Sequence, residues 1–303
     1  MGSLQGKVKN ALDESRIVML GSQVLLGFQY RAFFEPGFER LPAVDKAFEL
    51  VALFALLIAT AALFVPVARH RLIEQGNDSE RFHRLTMLVV RAALAPFALG
   101  ITLDLAVAGE RILGPWGGAA TGGLTALSAF AFLYGPFTRR DRKPRPPPED
   151  GMEKTDLQHR IVQVLTEARV VLPGAQALLG FQLTIVLMEP FEKLPGGARL
   201  MHLCSLGFIA LSTLVLMAPA AYHRIVENGE DTERFHSFAG RMVLLAMALI
   251  GPGLAGELYV VLVRAGYPRA AWGWAAGALA VFYLAWFGAT LLVRRLRPQA
   301  LRS

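Results

Sequence analysis

The sequence predicts an all-α integral membrane protein built as two tandem, parallel four-helix transmembrane repeats, about eight spans in all. Three observations predict it: long apolar runs without a charge, close similarity of the two halves at a fixed offset, and a one-sided distribution of Lys and Arg.

The runs set the class. Residues 50–68, 112–138, 170–188 and 270–293 hold no charged side chain, and each reaches the roughly 18–20 residues that cross a hydrocarbon core of about 30 Å. Four further segments complete the set: 17–34 with Gln23, Gln29 and Arg31, 85–109 with Arg91 and Asp104, 203–222, and 242–263 with Glu257. Of the 303 residues, 54% are hydrophobic and 18% charged, against about 25% charged in soluble domains. The first apolar stretch follows a charged segment and holds two glutamines and an arginine, unlike the core of a cleavable signal. The single Cys204 rules out a disulfide framework and is expected to pack in the core.

The halves match when the chain is shifted by 153 residues. Residues 12–42 and 165–195 share 15 of 31 positions, and 66–83 and 219–236 share 11 of 18. Four spans return the chain to its starting side, so both units have the same orientation, related by an axis along the membrane normal. Such a pair reads as a fused dimer. The units are 1–140 and 159–303. The segment 141–158, with the Arg145-Pro-Pro-Pro run, is an aqueous linker, since prolines lack the helix donor and charges avoid lipid. Basic residues around its start suit a topology anchor or contact with anionic headgroups.

Orientation follows from charge. With the amino terminus in the cytoplasm, 22 of the 31 Lys and Arg fall on that side, eight on the other, and Arg91 within a span. Positive residues favour the cytoplasmic face, so both termini are expected there, in a bacterial inner membrane. The excess of basic residues is then a matter of topology, and no nucleic-acid partner is implied.

Charged and amide side chains in lipid are costly and face protein or water, so those shared by both units are the candidates for function. In the first span and its counterpart, Arg16, Gln23 and Gly27 recur as Arg169, Gln176 and Gly180, seven- and four-residue steps that share one helix face. Gln29 and Gln182 point away from that stripe. The stripe suits either a packing seam with interhelical hydrogen bonds or the polar lining of a path or cavity.

The second constellation follows the second span: Pro66, His70, Arg71, Glu74, Gly76, Asp78, Ser79, Glu80 and His83, repeated as Pro219, His223, Arg224, Glu227, Gly229, Asp231, Thr232, Glu233 and His236. His70 and Glu74 are i,i+4 neighbours. Gly76 suits the left-handed position past a helix end, and Asp78 or Ser79 can cap the next helix. Two histidines per unit at the membrane face also suit a proton relay or pH sensor. No paired His or Cys ligands support a metal site, and no cofactor motif is present.

The third pair is Asp104 and Glu257, near the outer boundary, readable as proton-carrying carboxylates or as snorkelling interfacial acids. The outer turns repeat Phe38-Glu39-Arg40-Leu41-Pro42 as Phe191-Glu192-Lys193-Leu194-Pro195, an interfacial turn before the next helix.

The string from Arg16 to Gln29, the Leu-Pro turn entry and the stretch Ala218-Pro219-Ala220-Ala221-Tyr222-His223-Arg224 together resemble a bacterial four-helix membrane family, common in high-GC actinobacteria and of unknown function. Its members often carry the label sodium/proton antiporter. The resemblance covers both halves and implies a membrane protein. It supplies no catalytic residues. This chain departs from the usual single unit by duplication. With no Ser-His or Cys-His arrangement, an enzyme is not expected. The expected function is passage of protons or monovalent cations through a transporter or channel; the alternative is a non-transporting partner or pH-sensing subunit.

Overall fold

The computed structural model describes residues 4–77, 79–131, 156–227 and 230–295. Asp78 and Gly229 lie outside them, as do the linker up to residue 155 and the side chains of Glu14 and Arg224. Among the described residues all regular structure is helical: α1 Leu4–Ala32, α2 Ala43–Leu72, α3 Glu80–Leu113, α4 Pro115–Ala129, α5 Leu157–Ile185, α6 Gly196–Ile225, α7 Glu233–Arg264 and α8 Pro268–Tyr283. The last continues through a π-helical turn, Leu284–Gly288, into Ala289–Arg295. Short turns, Phe38–Arg40 and Glu189–Glu192, follow α1 and α5.

Six of these are long and apolar enough to cross a membrane: α2, α3, α5, α6, α7 and α8 with its continuation. Helix α1 has 29 residues, which suffices for a span, but its Lys, Asp, Gln and Arg residues dilute its apolarity. Helix α4 meets the end of the described stretch soon after Ala129. Where the sequence leads to an expectation of eight spans, six helices among the described residues meet the length and apolarity of one.

Local chemistry fixes the ends in the same way in both halves. Ser79 Oγ accepts from Phe82 N at 3.1 Å and Thr232 Oγ1 from Phe235 N at 3.0 Å, so each supplies an acceptor for an unpaired donor in the first turn of α3 or α7. Gly76, after α2, adopts φ +85°, the conformation that ends a helix at low cost only for glycine. Pro115 and Pro268 begin α4 and α8, where no donor is needed. Inside α7, Pro252 lacks the N–H that would bond Ala248, and the Tyr283 hydroxyl donates to that carbonyl at 2.7 Å instead. A neighbouring helix thus repairs the break, as a water-free environment demands.

The two halves are alike in order and unlike in packing. Helix α2 is 67% buried across its apolar window and its counterpart α6 only 33%; α3 is 28% buried and its counterpart α7 72%. The middle of the bundle is thus α2 of the first unit and α7 of the second, with α1 and α5 lying against each other. Trp286 makes part of this seam, donating Nε1–H to Ala61 O at 2.8 Å and packing on Phe64 at 5.0 Å between ring centroids. The matching positions on α6, Leu214 and Met217, are exposed. Tyr30 of α1 donates to Leu254 O of α7 at 3.1 Å, while its counterpart Leu183 is exposed.

The same asymmetry divides the glycine stripe. Phe28 and Phe181, which are equivalent in the repeat, meet at 4.3 Å. Gly27 is buried beneath Phe181, and a Cβ there would strike that ring; its counterpart Gly180 is exposed, with open space where a Cβ would go. Cys204 is exposed on the protein surface rather than packed in the core as expected, because its turn of α6 faces away from the bundle.

Gly27→Leu overpacks the α1–α5 contact and is expected to cost about 1–3 kcal/mol, whereas Gly180→Leu, at the same repeat position, stays within about 0.5 kcal/mol of the parent. Unfolding midpoints in detergent measure both; equal losses would show that the halves pack alike.

Candidate functional site

Two polar regions lie at opposite ends of the bundle. One is the basic end, where α2 hands over to α3 and where α5 and α7 begin. His70 and Arg71 occupy the last turn of α2, and both turn toward Glu167 of α5. His70 Nδ1 lies 2.8 Å from Glu167 Oε1, and Arg71 Nε donates to Oε2 at 2.5 Å, with all three side chains buried. Phe82 stacks on the His70 ring, their centroids 4.7 Å apart. A buried charge demands a partner, and here the partner belongs to the other unit. Sequence spacing directs His70 toward Glu74 within its own turn. In the structure His70 meets Glu167 of the other unit at 2.8 Å.

The remaining members of this constellation do not form a symmetric pair. His236 is buried between Arg71 and Arg160. Its repeat counterpart His83 is half-buried. His223 packs on Phe235 and lies 3.7 Å from Asp231. Glu74 is buried and Glu227 half-buried, while the side chain of Arg224 lies outside the described residues.

The glutamine stripe also separates. Arg16 is buried and pairs with Asp13; Arg169 is exposed. Gln23 is buried beneath Gly174, and neither of its amide atoms has a hydrogen-bond partner among the described residues. Gln176 is exposed. The two stripes are therefore not equivalent, and the interhelical hydrogen bonds expected of them are made by Gln29 and Gln182 on another face.

Those two glutamines organise the opposite end. In the second unit Gln182 Nε2 donates to Ser205 Oγ at 2.8 Å and to Glu257 Oε2 at 3.1 Å. His202 Nδ1 stands 3.0 Å from Glu257 Oε2, and its Nε2 is 3.1 Å from Gln182 O. Ser205 Oγ donates onward to Gly253 O at 2.6 Å. Every side chain in this network is buried, so Glu257 is no snorkelling interfacial acid. Its counter-charge is built in, as the imidazole of His202.

In the first unit the same register positions carry different groups. Gln29 Nε2 donates to Glu49 Oε2 at 2.6 Å and to Glu49 O at 3.0 Å. Asp104 stands within electrostatic reach of Glu49 and Gln29, and Asp45, one turn before Glu49, is within reach of it. Asp45 is buried with Oδ2 unpartnered, and Asp104 Oδ1 likewise has no hydrogen-bond partner among the described residues. No Lys, Arg or His lies within ion-pair distance of these acids among the described residues. At a shift of 153, Glu49 becomes His202 and Asp45 becomes Ala198. At these three register positions one unit thus holds three acids; the other holds one acid, one histidine and an alanine.

Sequence reasoning found Gln29, Gln182, Asp104 and Glu257. It missed Asp45, Glu49 and His202, because a search for identical residues passes over positions that changed chemistry; reading both halves in register would have aligned Glu49 with His202. Glu167 stands two residues before Arg169, a spacing that does not disclose its partners in the other unit. Among the described residues no group of three or more His, Cys, Asp or Glu is placed to hold a metal ion. Outside the spans, Glu39 of the first unit accepts from Arg264 of the second at 2.7 Å, and that hydrogen bond and charge hold its carboxyl below the usual range.

A family described only as a family of unknown function, DUF6328, matches the chain twice, over residues 4–136 and 150–290. No curated protein and no solved structure matches it.

His202→Ala leaves Glu257 buried without its partner and is expected to cost about 3–5 kcal/mol. Glu49→Ala removes an acid that has no cation and is expected to leave stability unchanged or raise it. Denaturant midpoints in micelles distinguish the two, and a large loss in Glu49→Ala would refute the unbalanced assignment.

Proposed function

Since this chain belongs to the DUF6328 family and carries its unit twice, we propose that it is a polytopic protein of a bacterial inner membrane that passes protons or monovalent cations. In this reading the chain crosses the bilayer eight times as two parallel four-helix units, with both termini and the linker in the cytoplasm, in accord with the Lys and Arg distribution. The acid cluster then lies near the outer face and the basic end at the cytoplasmic face.

The observation that carries the reading is the pair of Glu49 and Asp104 about Gln29, with Asp45 within reach of Glu49 and no cationic side chain among the described residues to balance them. Charge at this depth must be neutralised, and a mobile proton or monovalent cation is the counter-charge left. Gln29, held by Glu49, offers its amide carbonyl as a further oxygen ligand or proton acceptor. The second unit, neutralised by His202, acts as a scaffold that holds the first.

A route from this cluster toward the cytoplasm has polar footholds. The Thr60 hydroxyl of α2 donates to Ser22 Oγ of α1 at 3.2 Å, midway along the seam. Along α2, Glu49, Thr60 and His70 are about 15 Å apart at 1.5 Å per residue. That exceeds a single hydrogen-bonded hop, so passage requires water or helix movement along the α1–α2 seam.

The test is flux in liposomes containing the purified chain, read with an interior pH-sensitive dye under imposed proton, sodium and potassium gradients. Wild type is expected to pass at least one of these ions, Asp104→Asn to fall to the protein-free background, and Glu257→Gln, if folded, to keep its flux. No flux from wild type under any gradient would overturn the proposal.

A further inference from the structure

At the basic end the two units enclose a pocket of about 340 Å³, whose walls include Arg71, Gln75, Arg160, Glu233, His236 and Arg241. It lies at the opposite end of the bundle from the acid cluster and plays no part in the ion site proposed above.

Its hydrogen bonds do not balance. Arg71 gives Nε–H to Glu167, but its Nη2 is buried without a partner among the described residues. Arg160 gives Nη1–H to Glu233 at 2.9 Å and Nη2–H to Gln75 O at 3.2 Å, leaving Nε unpartnered. Both ring nitrogens of His236 face guanidinium groups, Nε2 at 3.4 Å from Arg71 Nη1 and Nδ1 at 3.1 Å from Arg160 Nη2. A neutral imidazole has one acceptor nitrogen, and an imidazolium has none, so at least one of these contacts sets donor against donor. Arg241, on the pocket wall, has no ion pair among the described residues. Three guanidinium groups thus line a space whose wall carries one carboxylate, Glu233, while Glu167, which binds Arg71 from behind, is shared with His70.

The missing component is an acceptor with several anionic oxygens reachable from three directions. We propose that this pocket binds a phosphate group, either as a free phosphate or phosphomonoester or as the headgroup of an anionic phospholipid. Guanidinium forks match phosphate oxygens in geometry and charge, and basic pockets between membrane helices at the cytoplasmic face are placed to take headgroups. The arginines come from α2, α5 and α7, so a bound phosphate clamps the two units together at the seam that Glu167 already ties. Gly76 backs one member of this wall: a Cβ there would press on the His236 ring, and glycine leaves that ring its place.

The experiment uses the full chain in nanodiscs of phosphatidylcholine alone, where the thermal unfolding midpoint is followed with rising inorganic phosphate or glycerol 3-phosphate against chloride at equal ionic strength. A second set of discs contains phosphatidic acid or phosphatidylglycerol. A ligand that binds the folded state raises the midpoint by mass action. A saturable rise with the soluble phosphates assigns a free phosphate, and a rise with the anionic lipids alone assigns a headgroup. In either case Arg241→Gln, an exposed position, weakens the apparent affinity by about tenfold or more, as loss of a charge-assisted hydrogen bond does, and Arg160→Gln weakens it further. No rise with either source, or a rise that Arg241→Gln and Arg160→Gln leave intact, overturns the proposal.

Discussion

The structure depends on one constraint: a charge placed among membrane-spanning helices must find its opposite, because lipid will not solvate it. Glu167 meets the constraint by reaching from one unit to His70 and Arg71 of the other. Glu257 meets it inside its own unit with His202 and Gln182. Asp45, Glu49 and Asp104 do not meet it with any described side chain, and the functional reading follows from that difference. The three cases together explain why so polar a set of side chains is compatible with helices otherwise made of Leu, Ala, Val and Phe.

Duplication makes the contrast visible. Two copies of one unit start with the same polar positions, and packing two of them into one chain gives each a different neighbourhood. Helix α2 became central while α6 stayed at the surface, and α7 became central while α3 did not. Once equivalent faces differ in burial, the same residue no longer carries the same cost. Gln23 and Gly27 are locked into the α1–α5 seam, and Gln176 and Gly180 are left open. The electrostatic divergence, an acid at position 49 and a histidine at 202, accompanies the divergence in packing: Glu49 is half-buried and His202 fully buried.

Much of the fold was legible in the sequence because periodicity, capping and repetition are local. The order of helices, the Ser79 and Thr232 caps, the glycine at φ +85° and the 153-residue offset are all written in residue types and spacing. Burial was not legible in the same way. Helical phase shows that Gln23 and Gln176 occupy one stripe each, but not which stripe another helix will cover. Partnership across units was also hidden, so His70 was directed to Glu74 when Glu167 was the group it meets. Within the site, the identical glutamines and the conservative Asp104 and Glu257 pair stood out, whereas Glu49 and His202 were obscured by their own difference. The surface position of Cys204 shows the same limit: an apolar run marks a span, not the side of it that faces protein.

The central claim is that the first unit takes a mobile cation because it lacks the histidine that the second unit carries. The most direct measurement is ion flux through Glu49→His in liposomes, at equal protein density and with folding checked by circular dichroism. The account predicts that a histidine at this position supplies a fixed counter-charge to Asp104 and reduces flux to the protein-free background. Flux equal to wild type in the folded Glu49→His chain would contradict it.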